Sequence, residues 1–524
     1  MANFGLAFGT GSIQLTQAVD YYLQVKAAAP ANAKITLTGH SLGGGLAALV
    51  GVFFGAEAHT FDQAPFAQSA RWTENTYNVA TALRQYLADK TGLTGPEETT
   101  RNELLGRLDG FIAQRDAAGA NGDIPNSNLI TNINVQGEVL DNSLLNYYRI
   151  GRTVQDLKHG ETTLSGTDLH SIALLSAFQL NDGFRSVTFK LTDLLAMVFD
   201  KQLFARDTDP GSTDPNLLEH LLRHQTGGID GIPEGGNKML DRFTADLGTL
   251  AATPGFAASG NLTDALIAFA MQGYYSGPHA ADAGKQMLDA VGGGIHLDRD
   301  DIAGSLGEIK GYSRYFQNFL ATLPETERQL IGQKLSGLLD WYLAGTALNA
   351  SAGNKTAFML GAGLSDSLAG GTQADLLVGL GGRDNLIGRG GADVLVGGEG
   401  ADTLMGGEGN DEYIVTHGDT IIDRTDDGFG GDGQGQIKWA GLNPAGSYDR
   451  KQNSVTAWGD TDWSFEFIGE RETGGLLTIV KGGERVSVAG RMRSALTERR
   501  ESRRWRDGTR CRWAANVAWR MAAC

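Results

Sequence analysis

The chain has 524 residues, a formal net charge of −17, 74 glycines and two cysteines. Its length exceeds one ordinary domain and predicts roughly two to four units, each able to bury a core. The acidic balance argues against a nucleic-acid partner. With cysteines only at Cys511 and Cys524, disulfides do not hold the body together, and no run reaches the ~18 apolar residues of a membrane-spanning helix. The charge is uneven: residues 491–524 hold ten Arg against three acidic residues, which leaves +7 there and −24 elsewhere. A strongly acidic, thiol-free body fits a calcium-loaded or exported protein. The first basic residue is Lys26, so export is expected without an ordinary cleaved amino-terminal signal peptide.

In chain order, Leu15, Ala18, Val19, Tyr22 and Leu23 fall at helical spacing and predict an amphipathic helix over 13–25. Phe8-Gly9-Thr10 is a candidate remnant of an earlier loop, and the hydrolase domain suggested below is expected to be shortened at this end. Lys34 to Ala48 then reads as strand, turn and helix. Ile35 and Leu37 alternate with Thr36 and Thr38, while Gly-Gly-Gly-Leu-Ala-Ala from Gly43 is small and helix-tolerant. Between them stands Gly39-His40-Ser41-Leu42-Gly43, a G-x-S-x-G. In that pattern a serine on a strained strand-to-helix turn presents its oxygen above a sheet. Ala58-His59-Thr60-Phe61 predicts the next strand, ended by Pro65, and 71–120 reads as mixed helix and polar loop. Ile130 to Val135 alternates as a further strand and runs into Gly137-Glu138-Val139-Leu140-Asp141. His170 follows, just before an apolar helix from Ser171 to Phe178.

A serine is a weak nucleophile unless a histidine takes its proton and a carboxylate orients that ring. Ser41 is the candidate nucleophile, and the Leu42 backbone N–H at the helix start is the candidate oxyanion donor. His170 is the best-placed base, with His159 as competitor. Glu138, just past a strand end, is the leading acid; Asp141 and the more distant Asp62 are alternatives. The order serine, acid, histidine is that of α/β-hydrolases. His40 is read as structural.

Residues 186 to about 350 read as helical. Thr263-Asp264 is expected to cap a helix from Ala265 to Tyr274, and Leu335, Leu338, Leu339 and Tyr342 are expected to form one apolar helix face behind Pro324. These helices would complete a scaffold or serve as a lid. Glu219-His220-Leu221-Leu222-Arg223-His224 places two histidines at i and i+4, but the glutamate precedes the first histidine, so a solvated helix face is expected and not a zinc site.

The strongest pattern begins at Gly361. Asp366, Asp375, Asp384, Asp393, Asp402 and Asp411 recur every nine residues. Glycines 361, 370, 379, 388, 397 and 406 stand five before each, and Leu368, Leu377, Leu386, Leu395, Leu404 and Tyr413 stand two after. This is the nine-residue G-G-x-G-x-D-x-U-x calcium repeat. It predicts glycine turns and short strands stacked as a parallel β-roll, with the large apolar residues inside and aspartates and carbonyls around hard cations. The candidate calcium ligands by repeat are Gly361, Gly363 and Asp366; Gly370, Thr372 and Asp375; Gly379, Gly381 and Asp384; Gly388, Gly390 and Asp393; Gly397, Glu399 and Asp402; and Gly406, Glu408 and Asp411. Pairing turns two apart would allow about four ions. Short β-like runs at 413–415, 420–422, 465–468, 476–480 and 486–488 predict a flank covering the last turn. The abrupt Arg, Trp and Cys texture after Arg491 reads as a shifted frame, or else a basic tail, and is left out of the fold.

Ile35 to Gly44 and the nonapeptides from Gly361 to Ile414 together resemble the class 3-like lipases of bacterial RTX proteins. That resemblance implies an α/β-hydrolase domain that cleaves carboxylic esters of lipids through an acyl-enzyme, with contact at a lipid interface. It also implies export by type I secretion machinery reading an uncleaved carboxy-terminal signal, and it favours Glu138, because Val135 to Leu140 looks like the family's acid strand. The expected layout is multidomain: a hydrolase domain over 1–185, a helical middle over 186–356, a β-roll over 357–415, a β-rich flank over 416–490 and the Arg-rich tail over 491–524. The competing reading is an extracellular calcium-binding or adhesion protein with a decayed hydrolase segment.

Overall fold

The structure is a computed structural model that describes residues 13–71, 78–119, 122–141, 148–203, 216–226, 238–256, 260–275, 286–298, 314–422, 435–439, 446–450, 457–459, 463–470, 474–490, 510–513 and 521–522. Phe8-Gly9-Thr10 and most of the Arg-rich tail therefore lie outside the described residues. The chain divides into two compact units, Met1–Asp200 and Lys201–Cys524. Among the described residues, no helix is long and apolar enough to cross a membrane.

In the first unit α1 (Ile13–Ala28) precedes β1 (Leu37–His40), α2 (Leu42–Phe54) and β2 (Ala58–Phe61). Helices α3 (Ala67–Arg71), α4 (Val79–Ala88) and α5 (Gly95–Ala118) follow, then β3 (Ile130–Val135) and β4 (Arg152–Leu157). The strands form one parallel sheet in sequence order, with Leu37 beside Ala58 and Ala58 beside Ile130. Parallel neighbours need a crossover between them, which is why a helix separates β1 from β2 and several separate β2 from β3. Leu15, Val19 and Leu23, spaced i, i+4 and i+8 on α1, are buried against a core shared with Leu49, Val52 and Phe53 of α2 and Leu104, Leu108 and Phe111 of α5. A capping box starts α5: the Thr94 backbone N–H donates to Glu97 Oε2 at 2.8 Å. Four short helices complete the unit: α6 (Gly166–Leu169), α7 (Ile172–Leu180), α8 (Asp182–Thr188) and α9 (Leu194–Phe199).

Two local expectations shift. The first strand begins at Leu37, not Ile35, and runs on through Gly39 and His40. The strand β4 has no sequence signal, because only Leu157 of its six residues is buried and no apolar alternation exists to read.

The second unit corrects the helical reading of 186–356. Helices do span Leu217–Thr226, Met239–Ala252 and Asn261–Phe269, the last continuing as a π-helical turn over Ala270–Tyr275. That helix starts at Asn261 behind Gly260, so Thr263 and Asp264 lie inside its first turn and do not cap it. Leu288–Val291 and Gly294–Asp298, however, form an antiparallel hairpin, which pairs onto a strand at Asp340–Ala344. Leu335, Leu338, Leu339 and Tyr342 thus do not share a helix face: Leu335 sits in a 3-10 turn and Tyr342 in a strand buried along its whole length. A short continuous apolar run carries no period, so strand and buried helix look alike in sequence.

From Asp340 onward the rungs alternate between two parallel sheets. One runs through 340–344, 357–360, 376–378, 394–396, 411–415 and 435–439; the other through 349–351, 367–369, 385–390, 403–408 and 420–422. Each nonapeptide supplies one strand to one sheet, and the next supplies the opposite sheet. Same-sheet neighbours are therefore eighteen residues apart, as in Leu368 beside Leu386 and Leu377 beside Leu395. Leu368, Leu386 and Leu404 from one sheet and Leu377, Leu395 and Tyr413 from the other are fully buried in one core. The second sheet passes by parallel pairing to Glu484–Gly490 and then by antiparallel pairing through 474–481, 463–470, 457–459 and 446–450. Arg510–Trp513 and Met521–Ala522 extend it further, so part of the stretch set aside on composition is strand.

Leu395 stacks between Leu377 and Tyr413. Replacing it with alanine opens a cavity that this regular stack has no spare side chain to fill. Leu395→Ala should lower unfolding free energy by about 2–5 kcal/mol in saturating calcium, read by denaturant titration; an unchanged midpoint would contradict this packing.

Candidate active site and calcium ladder

The turn between β1 and α2 sets Ser41 at φ 54° and ψ −122°, a backbone region that non-glycine residues seldom occupy. Three hydrogen bonds hold it there. The Ser41 N–H donates to the Phe61 carbonyl at 3.0 Å, and the Ser41 carbonyl accepts from Gly45 at 3.1 Å and Ala64 at 3.0 Å. A Cβ on Gly39 would run into the Gly43 carbonyl, so the first glycine of the motif is required by close backbone approach.

Ser41 Oγ lies 2.8 Å from His170 Nε2, and His170 Nδ1 lies 2.7 Å from Glu138 Oε2. The three residues come from the β1–α2 turn, the loop after β3 and the end of α6. Glu138 is 2 % exposed. A buried carboxylate needs compensation, and Glu138 has it: Arg149 Nη2 donates to its Oε1 at 2.5 Å and the Leu140 N–H to its Oε2 at 2.7 Å. Arg149 is in turn fixed by donating its Nε–H to the Gln63 carbonyl at 3.0 Å. Sequence reasoning missed Arg149, and a lone arginine before an edge strand offered no signal for it.

The other candidates take other partners. Asp141 Oδ2 accepts from the Gly137 N–H at 2.8 Å within its own loop. The His159 ring nitrogens face the carbonyls of Gly160 and Gln136 at 2.7 and 2.9 Å. Asp62, at the end of β2, is fully buried and accepts from the Val135 N–H at 2.8 Å. Its Oδ2 is 3.6 Å from His40 Nε2, and the His40 ring packs 4.8 Å from that of His170. Leu42 is the first residue of α2, whose leading N–H groups have no intrahelical acceptor. His220 departs from the expected solvated face: it is 2 % exposed, with its ring centroid 4.5 Å from that of His224.

In the roll, each aspartate caps the repeat eighteen residues before it. The backbone N–H of Asp366, Asp375 and Asp384 donates to Oδ1 of Asp384, Asp393 and Asp402, each at 2.8 Å, and that of Asp393 to Asp411 at 3.0 Å. The second oxygen differs along the stack. In Asp366 and Asp375 it accepts from Ala362 and Gly371 at 2.8 and 2.6 Å. In Asp384, Asp393 and Asp402 Oδ2 is buried with no hydrogen-bond partner among the described residues. A Cβ on Gly379 would strike Asp384 Oδ2 and the Gly397 carbonyl, and one on Gly388 would strike Asp393 Oδ2 and the Gly406 carbonyl. The glycines thus leave room where carboxylate and carbonyl oxygens converge, a donor set that suits a hard divalent cation.

These carboxylates resist ionisation without a cation. Burial, reinforced by the aspartates eighteen residues away, pushes Asp384 up to about 7 and Asp393 up to about 8. Burial also raises Asp375 to about 6, and it raises Asp366. The ladder runs one rung further than the repeats. Asp419 is fully buried, raised to about 7 chiefly by burial, and accepts from the Asp402 N–H at 3.0 Å and the Thr416 N–H at 2.7 Å. Its Asp-Thr-Ile pattern was legible but falls one residue short of the nine-residue register.

Residues 10–67 match the family described as Lipase (class 3), and residues 360–395 and 378–413 match the RTX calcium-binding nonapeptide repeat. Among solved structures the chain is similar to the AlgE6R3 subunit of the Azotobacter vinelandii mannuronan C5-epimerase. That likeness is at 24% identity over 27% of this chain and 76% of the other, with a TM-score of 0.16. No curated protein matches the chain. The chain carries a class 3 lipase segment and RTX calcium-binding repeats, and together they support a calcium-binding lipase.

Proposed function

We propose that the first unit is an α/β-hydrolase-type serine esterase acting on carboxylic esters of lipids through an acyl-enzyme. The observation that carries this is the chain of hydrogen-bond distances from Ser41 Oγ through His170 to Glu138, 2.8 and 2.7 Å long. In this reading His170 bears its proton on Nδ1 toward Glu138, which leaves Nε2 to accept the Ser41 proton. Ser41 Oγ attacks the ester carbonyl, and the developing oxyanion is met by the Leu42 N–H at the positive end of α2. His170 then returns the proton to the departing alcohol, and a water activated the same way releases the acid. Arg149 and the Leu140 N–H hold Glu138 aimed at His170 as the imidazolium forms.

Ser41→Ala should slow hydrolysis of p-nitrophenyl esters by at least about 10³-fold, and Glu138→Gln by about 10²–10⁴-fold. Equal rates in wild type and Ser41→Ala would reject the serine mechanism and favour a calcium-binding protein without esterase activity.

We further propose that Asp384, Asp393, Asp402 and neighbouring carbonyls hold calcium, and that the chain leaves the cell by type I secretion and orders its roll outside, where calcium is abundant. The raised carboxyl pKa values support this. An unfolded aspartate loses its proton near pH 3.8, whereas folded, metal-free Asp384 and Asp393 keep theirs to about 7 and 8. Between those limits the folded chain binds more protons than the unfolded one, so the metal-free roll loses stability as pH rises from about 4 to about 8. Calcium replaces the protons. Circular dichroism should show that EGTA removes more β-structure near pH 7.5 than near pH 5. Calcium binding near pH 6.5 should release protons, read as a buffer-dependent heat in calorimetry. A pH-independent calcium affinity across this range would contradict the buried-carboxylate account.

A further inference from the structure

The geometry points to a second metal site in the first unit, for a borderline divalent cation such as zinc, formed by His40, Asp62 and His170. Among the described residues these are the group of three ligating side chains whose donor atoms lie together, each within 4.8 Å of the others. Two of the donors have only each other, in a 3.6 Å contact between His40 Nε2 and Asp62 Oδ2. Among the described residues, His40 Nε2 and Asp62 Oδ2 are buried with no hydrogen-bond partner, although Asp62 is fully buried and its Oδ1 is used by the Val135 N–H. A buried carboxylate oxygen left without a partner is costly and calls for an explanation.

The spacing supplies one. His40 Nε2 and Asp62 Oδ2 are 3.6 Å apart, too far for a good hydrogen bond. Tetrahedral zinc with bonds of about 2.0–2.1 Å holds its ligand atoms about 3.3 Å apart. The third donor is His170, whose Nδ1 is engaged by Glu138 and whose Nε2 faces Ser41 Oγ at 2.8 Å, so an ion on Nε2 takes the place of the Ser41 contact; a carboxylate behind a metal-bound imidazole is a common support. Two imidazole nitrogens with one carboxylate favour zinc-like ions over calcium, which takes oxygen ligands. The His40 and His170 side chains are 22% and 15% exposed, so an ion can reach them from solvent.

Binding and consequence are separable. The site itself does not depend on Ser41 being a nucleophile. Inhibition does rest on that reading, because an ion on Nε2 occupies the lone pair that would accept the Ser41 proton.

The test uses the full chain saturated with calcium, so that the roll is filled, and titrates zinc chloride by calorimetry and cobalt(II) by visible absorption. Wild type and Ser41→Ala should both bind one zinc per chain. Asp62→Asn, which keeps the Oδ1 acceptor, and His40→Gln should each weaken binding at least about tenfold. Zinc should slow wild-type ester hydrolysis by at least about 100-fold, the contribution of a positioned base, with recovery on chelation. Absence of zinc binding in Ser41→Ala, or unchanged affinity in both ligand variants, overturns the site. Zinc bound while hydrolysis continues would keep the site and overturn His170 as the base.

Discussion

Buried negative charge governs the second unit. A column of aspartates lies within a few per cent of full burial, and burial raises the carboxyls of Asp366, Asp375, Asp384, Asp393 and Asp402 and so works against their charge. Backbone N–H groups satisfy one oxygen of each carboxylate and fix the register of the next rung. They leave the other oxygen of Asp384, Asp393 and Asp402 unanswered. The same side chain is therefore a structural cap on one side and presents a buried, unpartnered oxygen on the other. Strand register and buried carboxyl groups thus rest on the same side chains, at the edge of the apolar stack between the sheets.

The first unit is organised by a different constraint, the direction of a parallel sheet. All four strands point their carboxyl ends the same way, and each end hands over one polar residue: Ser41 after β1, Asp62 after β2, Glu138 after β3 and His170 beyond β4. Crevices at the carboxyl ends of parallel strands are where such sheets bind ligands. Residues up to 129 positions apart meet there because the topology leaves them nowhere else to go. The strained Ser41 turn is held by hydrogen bonds to β2 and the loop after it, so the nucleophile candidate's position depends on the neighbouring strand as much as on its own motif.

Sequence was informative where a residue type and a local period coincide. The G-x-S-x-G fixed Ser41 because its glycine is required by backbone contact, and the nonapeptides fixed six rungs because carboxylate, glycine and apolar residue each recur for separate reasons. Glu138 and His170 were legible as positions after strands, in an order known for hydrolases. Arg149 was not, since its role exists only once β3 and β4 lie side by side. The proximity of His40 and Asp62 was hidden likewise, because it follows from β1 pairing with β2. The strand at 340–344 was mistaken for helix since five buried residues in a row have no period, and Asp419 was lost to a single-residue slip at the end of the ladder.

The eighteen-residue spacing between same-sheet neighbours sets a unit of change for the gene as well as for the fold. Loss or gain of two adjacent nonapeptides shortens or lengthens the stack by one full turn and leaves every remaining strand in its own sheet. Loss of one would transfer all later strands to the opposite sheet. The odd rung ending in Asp419 and the antiparallel strands after it would then meet the wrong face. Such a roll can evolve in length, but only by even steps, and its terminal flank acts as the parity check.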